Sequence, residues 1–486
     1  MQEKIRDLPS VVPLCKTTLY CISKEERYKS LIKARKVALR PPYSLILDKT
    51  VSHDKSVLSI ILHNCFGTYA VGYVNVGQLK DELFLKVLQN EMKISMEYEN
   101  DKFVPPRYGV SFSSTSKYKN LTFSALVSNL KDSLAWSQDR IKRILPPPHE
   151  TLFKSLFAEF KEIGINNTNV SCIISDREPL MVRVCKELND NLCGDFWLPC
   201  LSHLLNSIIK HYIEFYFPAI PEFLYDITRV FGKYQRENRS VAKSLGLPII
   251  QFTPIRWSSL LKSYLMICKN WTLYKTVLNK LASKSDECTS ALEFLENEKY
   301  EQFNEIMIDS FIPICINALE ASQLRKPSYD AYYAISKFSI KMETEWTKTP
   351  PIIVSEFKEP FNHLIFSLKL YYVVIALDET NWDEDNYFDL RTLKQNIKQS
   401  KYEINRKQMA QLDQYHAMLV NGEEIIFEKD LYYLVPLRDY FRSIPFSGAA
   451  VERFFSIVHR YNSKYRSHQA TETLMLNCMK KYNEDK

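Results

Sequence analysis

The sequence predicts an α/β protein in which a mixed sheet flanked by helices is joined to a long helical part. Three observations predict it. Three apolar runs near the start are joined by short polar connections. Alternating strand and helix patterns follow the triple proline at 146–148. Residues 260–430 are rich in Lys, Glu, Leu, Tyr and Phe and contain no clear strand pattern.

The three early runs cover Tyr43–Lys49, Val57–His63 and Tyr69–Val76. Each is the length of an ordinary strand, and the polar turns between them leave no room for a helix. Such spacing is typical of an antiparallel meander, in which each strand pairs with the next along the chain.

The second set of patterns begins with a helix over His149–Ile163, whose apolar residues share one stripe. A strand over Val170–Ser175, a helix over Pro179–Asn189, a short strand over Phe196–Pro199 and a helix over Leu201–Tyr216 follow. This alternation predicts a βαβ unit.

Composition narrows the class of protein. The chain has 486 residues, of which 45% are hydrophobic and 25% charged, so we expect a globular protein without a structural disulfide or metal staple. The 11 cysteines are scattered and none forms a Cys-x-x-Cys pair.

The sequence has no apolar run long enough to cross a bilayer and no signal-like start. We therefore expect no membrane partner and a cytosolic or nuclear location. The net charge, 64 − 57 = +7, permits nucleic acid as a partner.

Three acids stand out by position. Asp48 and Asp176 each end an apolar strand run, and Glu452 follows a proline-marked entry into a helix. A carboxylate near a core is costly unless something compensates its charge, and a divalent cation would do so. The alternative from position alone is that the two aspartates cap turns or helices.

The residues around these acids resemble the hAT transposase family. The clearest match is the block from Ser443 to Ser456, with a proline, a small-residue cluster and then Val-Glu-Arg-Phe-Phe-Ser, where the family has Ser-Glu-Arg-x-Phe-Ser. Val451 thus replaces the family's serine. The basic Lys464-Tyr465-Arg466 and the leucines of the last helix match the family's closing segment.

Four further motifs agree in order, from about residue 43 to 482. These are Leu47-Asp48-Lys49-Thr50, Ile174-Ser175-Asp176, Cys200-Leu201-Ser202-His203-Leu204-Leu205-Asn206 and Arg256-Trp257-Ser258-Ser259. Lys49 departs from the family, which has a tryptophan before the threonine.

The resemblance implies an RNase H-like sheet interrupted by a large all-α insertion domain. It implies a helical lead-in over 1–42, a first core part over 43–216 with an irregular insert at 84–145, the insertion over 217–430, and closing helices over 431–486. Asp48, Asp176 and Glu452 would be the catalytic, metal-binding triad for Mg²⁺ or Mn²⁺. The first separation, 176 − 48 = 128, is long for the family. Either residues 84–145 are a lineage insertion, or the first acid is misassigned, and Asp54 and Asp81 are then the alternatives.

The resemblance also assigns DNA-binding residues. Trp257 would stack on a flipped base during hairpin formation, with internal packing as the alternative, and Arg256 would contact phosphate or pair internally. His203 would lie near the DNA or be an ordinary structural histidine. Cys200 and His203 have the spacing of zinc ligands, but no second pair completes a tetrahedral site nearby.

Residues 1–42 lack the family's BED zinc finger, since they hold only two cysteines and no histidine. We therefore expect one of two situations. Either another module recognises the DNA ends, or the chain is a truncated or domesticated descendant of a transposase. The resemblance implies DNA as partner, a nuclear location, and a homo-oligomer, at least a dimer. The closing helices would form the dimer contact, with packing inside the catalytic core as the alternative for their apolar side chains. Two functions stay open: metal-dependent DNA cleavage and strand transfer, or an inactive descendant that binds DNA or dimerises. A helical scaffold unrelated to nucleic acid is a third.

Overall fold

The protein is a mixed α/β molecule that is mostly helical, as seen in a computed structural model. The structure describes residues 16–52, 55–77, 79, 97–99, 102–104, 148–165, 169–192, 196–232, 235–249, 259–281, 285–297, 300, 310–324, 326–346, 351–382, 388–400, 402–462 and 471–484.

Seven strands lie in the described residues. They are β1 (Tyr43–Ser52), β2 (Lys55–Asn64), β3 (Gly67–Asn75), β4 (Glu97–Glu99), β5 (Lys102–Val104), β6 (Val170–Ser175) and β7 (Phe196–Pro199). Five form a mixed sheet in the order β3-β2-β1-β6-β7, while β4 and β5 pair with each other.

Helices make up most of the remainder. They are α1 (Lys16–Ala38), α2 (Pro148–Ile163), α3 (Pro179–Leu192), α4 (Leu201–Tyr216), α5 (Ala219–Val230), α6 (Arg236–Ser244), α7 (Ser259–Lys269), α8 (Trp271–Leu281), α9 (Asp286–Glu296), α10 (Ile312–Ala321), α11 (Tyr329–Trp346), α12 (Pro351–Ala376), α13 (Leu390–Gln399), α14 (Arg406–Val420), α15 (Phe427–Asp430), α16 (Val435–Arg442), α17 (Ala449–Tyr461) and α18 (Thr471–Glu484). Short 3₁₀ helices cover Glu379–Asn381 and Tyr432–Leu434.

The predicted meander is confirmed: β1 pairs antiparallel with β2, and β2 with β3. The strands run further than the apolar patterns predicted. On β1, for example, Thr50 pairs with Val57 and Ser52 pairs with Lys55. The ladder therefore continues into polar residues, because backbone pairing does not require apolar side chains on both faces.

The predicted βαβ alternation is also confirmed, with α2, β6, α3, β7 and α4 in the expected order. The main core lies on one face of the sheet. Leu45 and Leu47 of β1 pack there with apolar residues of β2 and β3 and with the apolar stripes of α2 and α3. This packing fixes which face of β1 is left for other contacts, since side chains alternate along a strand.

The edge strand β3 is covered at one point by the last helix. The Asn483 side chain accepts a hydrogen bond from the Ala70 backbone N–H and donates one to the Ala70 carbonyl, both at 3.0 Å. One amide thus replaces a missing strand partner at that residue, which protects an edge that would otherwise template pairing with another chain. On α1, Tyr28 and Lys24 both bind Glu472 of the same last helix.

The chain divides into two compact units. The first contains residues 1–173, 178–197 and 450–486, and the second contains residues 174–177 and 198–449. Among the described residues, no helix has the length and apolar character needed to span a bilayer.

Candidate active site

Three buried polar residues lie on one face of β1 in the first unit, together with the buried Ile46. Ser44, Asp48 and Thr50 are at most 8% exposed, and they point away from the core face that holds Leu45 and Leu47. We call Ser44, Asp48 and Thr50 the β1 polar face. Such a face is unusual because burial of polar groups is costly unless they are bonded or bind a ligand.

Asp48 lies in the middle of this face. Its Oδ1 accepts a 2.7 Å hydrogen bond from the Lys49 backbone N–H. Directly across the ladder is Ser59 of β2, which is fully buried. Within the described residues the Ser59 hydroxyl has no hydrogen-bond partner. A carboxylate and an unsatisfied hydroxyl are therefore registered opposite each other on adjacent strands.

Lys49, the departure from the family motif, lies on the other side of the strand. Its ammonium is 3.6 Å from the Glu178 carboxylate, at the entry to α3. Because successive strand residues point to opposite faces, this cation does not share the β1 polar face with Asp48. Lys49 therefore makes an ion pair away from the predicted acid.

Glu452 lies in the first turn of α17 and is exposed. Val451, Phe454, Phe455 and Val458 bury the opposite side of the helix. The exposed stripe runs through Glu452, Ser456 and His459, at spacings of four and three residues.

One contact joins this helix to the β1 polar face. The Thr50 hydroxyl and ring nitrogen Nε2 of His459 lie 3.4 Å apart, at hydrogen-bonding distance, across 409 residues of sequence. Thr50 shares its strand face with Asp48, two residues earlier. His459 shares its helix face with Glu452, seven residues or about two turns earlier. The strand of the first predicted acid and the helix of the last therefore meet on matching faces.

Asp176, the second predicted acid, follows β6 directly and is half-buried. Its backbone carbonyl accepts a hydrogen bond from the Ser175 hydroxyl at 2.9 Å. Its neighbour Arg177 pairs with Glu359 at 3.3 Å.

The division of the chain assigns Asp48 and Glu452 to the first unit and Asp176 to the second. Across the described part of the chain, no three His, Cys, Asp or Glu side chains form a ready-made metal site, and the predicted triad stays a prediction.

In the second unit, three of the sequence motifs meet in what we call the motif junction, formed by Ser175, Cys200, Leu201, Ser202, Phe446, Ser447 and Gly448. The Cys200 N–H donates to the Ser175 carbonyl and the Leu201 N–H to the Phe446 carbonyl, both at 2.8 Å. The Gly448 N–H donates to the Cys200 sulfur at 3.0 Å.

A buried hydroxyl cluster completes the motif junction. Ser202 lies 2.9 Å from the Ser447 hydroxyl and 2.8 Å from that of Ser322. Ser447 in turn accepts a hydrogen bond from the Ala449 N–H, at the start of α17. Cys200 therefore has a structural contact: its sulfur accepts the hydrogen bond that fixes the turn leading to Glu452.

The remaining predicted site residues divide in two groups. His203 is half-buried in the first turn of α4, next to Ser202 of the motif junction. Arg256 and Trp257 lie outside the described residues, as do Asp54, Asp81 and Lys464-Tyr465-Arg466. Their predicted roles stay predictions.

The sequence interpretation missed Thr50, Ser59 and His459. Two of them carry a simple signal: Thr50 is one strand period after Asp48, and His459 is two helical turns after Glu452. Residues that share a face with a predicted ligand are the natural candidates for its neighbours. Ser59 has no comparable signal, because its place opposite Asp48 depends on the hairpin register.

Comparison with known proteins does not name a family. No protein-family model matches the chain. No curated protein matches it significantly.

Proposed function

We propose that the chain is a hAT transposase-like protein that binds DNA and cleaves it with a divalent metal ion held by Asp48, Asp176 and Glu452. The observation that carries the proposal is the contact between Thr50 and His459. It connects the strand of the first acid with the helix of the last, as a shared metal site would require of segments so far apart in sequence.

The sheet supports the same proposal. Its order, β3-β2-β1-β6-β7, places an antiparallel meander at one edge and β6 beside β1, which is the arrangement expected of an RNase H-like sheet. In that fold the strands that carry the first two acids are neighbours. We further infer that the helices between α4 and α17 form the insertion implied by the family resemblance.

The chemistry of the residues fits a hard divalent cation. Mg²⁺ takes few protein ligands and prefers carboxylate oxygens, and Asp48 is a buried carboxylate facing an unsatisfied hydroxyl. When bound, such an ion would activate an attacking oxygen and stabilise the leaving oxygen of a phosphodiester. The chain's part is to hold Asp48 on a strand and Glu452 on a helix, with Asp176 directly after β6, so that little ordering is needed when the metal binds.

The test is nicking of supercoiled plasmid DNA in Mn²⁺, with Asp48→Asn, Asp176→Asn, Glu452→Gln and the triple variant. We expect each single change to lower the nicking rate at least a hundredfold. Glu293→Gln is the matched control, since it removes the charge of an exposed glutamate on another helix, α9. If the triple variant nicks as fast as the parent, the assignment is wrong.

A second candidate function is that of an inactive descendant that keeps DNA binding. Val451 favours it: the residue before Glu452 is fully buried and apolar, where the family has a serine. Calorimetry with Mn²⁺ separates the candidates. Binding lost in the triple variant supports the metal enzyme, whereas no carboxylate-dependent heat supports the inactive descendant.

A further inference from the structure

The exposed stripe of α17 changes charge along its length. Glu452 lies in the first turn, while His459 and Arg460 lie in the last, and all three are exposed. Seven residues of α-helix separate Glu452 from His459, a rise of about 10 Å. The acid that would hold the metal and the two basic residues thus lie at opposite ends of one helix face.

His459 contacts a residue of the sheet through one ring nitrogen. Thr50 is 8% exposed, and its hydroxyl lies 3.4 Å from Nε2 of the histidine ring. Within the described residues, no hydrogen bond engages the other ring nitrogen, Nδ1. The imidazole is therefore held against β1 with one nitrogen left for a ligand.

Arg460 brings a permanent charge that the described residues do not balance. Among the described residues, no ion pair engages its guanidinium. This contrasts with other cations of the first unit: Lys24, Arg35 and Lys49 all pair with glutamates. Arg presents a planar set of donors that matches the oxygens of a phosphate.

We propose that His459 and Arg460 form a subsite for a DNA phosphate that flanks the one to be cleaved. This inference rests on the proposed function, which places the cleaved phosphate at the acid end. The negative acids repel DNA until a metal is bound, whereas the permanent charge of Arg460 attracts it with or without the metal. At the ~3.4 Å rise of a B-DNA strand, 10 Å corresponds to about three nucleotides. The subsite would therefore set the position and direction of the strand along α17.

The experiment measures DNA binding without metal, so that it does not depend on catalysis. Anisotropy of a fluorescein-labelled random-sequence duplex is followed over a salt series in EDTA. We expect the double change His459→Ala with Arg460→Ala to weaken binding and to make the slope of log K against log salt less steep by about one, as for one lost phosphate contact. Arg460→Lys should retain most of the slope.

The matched control is the double change Lys210→Ala with His211→Ala on α4. It also removes one histidine and one permanent positive charge from an exposed helix, but there Glu214 already lies beside both. We expect its salt slope to equal that of the parent. Glu452→Gln should bind DNA more tightly in EDTA, because it removes a repelling charge from the same helix face. Circular dichroism melting checks that each variant is folded.

The outcomes separate this subsite from the proposed function. If the parent binds DNA with a steep slope and the His459/Arg460 variant keeps that slope, the subsite is wrong whatever the nicking assay shows. If the slope falls but the plasmid is never nicked, the subsite stands and the catalytic proposal fails. If the parent does not bind DNA at all, both are overturned.

Discussion

At the scale of single residues, Cys200 shows how a motif residue can owe its place to packing rather than to chemistry. Its buried sulfur accepts the hydrogen bond from the Gly448 N–H, and a Cβ on residue 448 would lie 3.3 Å from that sulfur. A small residue at 448 and a sulfur at 200 are thus a matched pair. This contact gives Cys200 a role in packing that involves no metal.

We predict that Cys200→Ala lowers the free energy of unfolding by about 1–3 kcal/mol, because it leaves the buried Gly448 N–H without an acceptor. Cys200→Ser keeps an acceptor and should lose less. Urea unfolding followed by circular dichroism measures both. Equal losses for the two variants would show that volume, and not the hydrogen bond, is what Cys200 supplies.

Asp378 is a buried acid with a structural role in the second unit. It is 5% exposed, and it accepts a 2.7 Å hydrogen bond from the Thr380 hydroxyl. Lys326 and Arg442 lie 3.2 and 3.4 Å from its two oxygens. Burial alone would raise the pKa of Asp378, but the Thr380 hydrogen bond and the two cations together outweigh it and lower the pKa below the usual 3.8.

Because the pKa of Asp378 is lower in the folded protein, its ionised form stabilises the fold above pH 3.8. This stabilisation is lost as the pH falls through the pKa of Asp378 in the folded protein. We predict that Asp378→Asn costs about 1–3 kcal/mol at pH 7. The difference between parent and variant should shrink below pH 3.8. Urea titrations between pH 7 and pH 3 measure it. A difference that stays constant with pH would contradict the role of the charge.

At the scale of elements, the contact between α2 and the sheet depends on Gly72 of β3. A Cβ at this position would lie 2.6 Å from Cδ1 of Ile163 and 2.9 Å from a carboxylate oxygen of Glu159. The ends of two side chains of the helix thus occupy the space that a Cβ at residue 72 would need. The glycine faces Ile60 on β2, next to an irregularity in the register.

We predict that Gly72→Ala destabilises the protein by about 1–3 kcal/mol, the usual cost of overpacking. Ile163→Val removes the clashing Cδ1 atom, so the double variant should lose less than the sum of the two single changes. Thermal or urea unfolding of the four proteins gives this coupling directly. Additive losses would show that Ile163 does not limit the approach.

Elements of this chain are predictable from sequence where the pattern is local. The β1–β3 meander and the run from α2 to α4 follow from alternation and helical stripes, because burial of one face imposes a period of two or 3.6 residues. Local sequence patterns do not predict which strand and helix surfaces, far apart in sequence, pack against each other. Thr50 and His459 are 409 residues apart, and no local period specifies that they meet.

At the scale of the whole molecule, the same limit applies to the candidate site. Asp48 and Glu452 were predicted as site residues through resemblance, and the structure adds the contact between their strand and helix. Ser59 could be found only from the β1–β2 register, and the structural role of Cys200 only from the turn at Gly448. The acids are thus a prediction from sequence, whereas their neighbours Thr50, Ser59 and His459 follow only from long-range packing.

The last prediction concerns the cost of keeping these acids. In the absence of metal, burial disfavours the charge of Asp48, and the proposed metal site would add repulsion among its three acids. We therefore predict that the triple variant Asp48→Asn, Asp176→Asn, Glu452→Gln is more stable than the parent in EDTA. A metal bound only by the folded parent adds RT ln(1 + [L]/Kd) to the parent's free energy of unfolding, about 2.7 kcal/mol at a hundredfold excess of metal over Kd. In Mn²⁺ the parent should therefore be more stable than the triple variant. Differential scanning calorimetry in EDTA and in Mn²⁺ measures both states, with Glu293→Gln as control. A parent that is the more stable protein in EDTA and gains nothing from Mn²⁺ would show that these acids serve the fold rather than a cation.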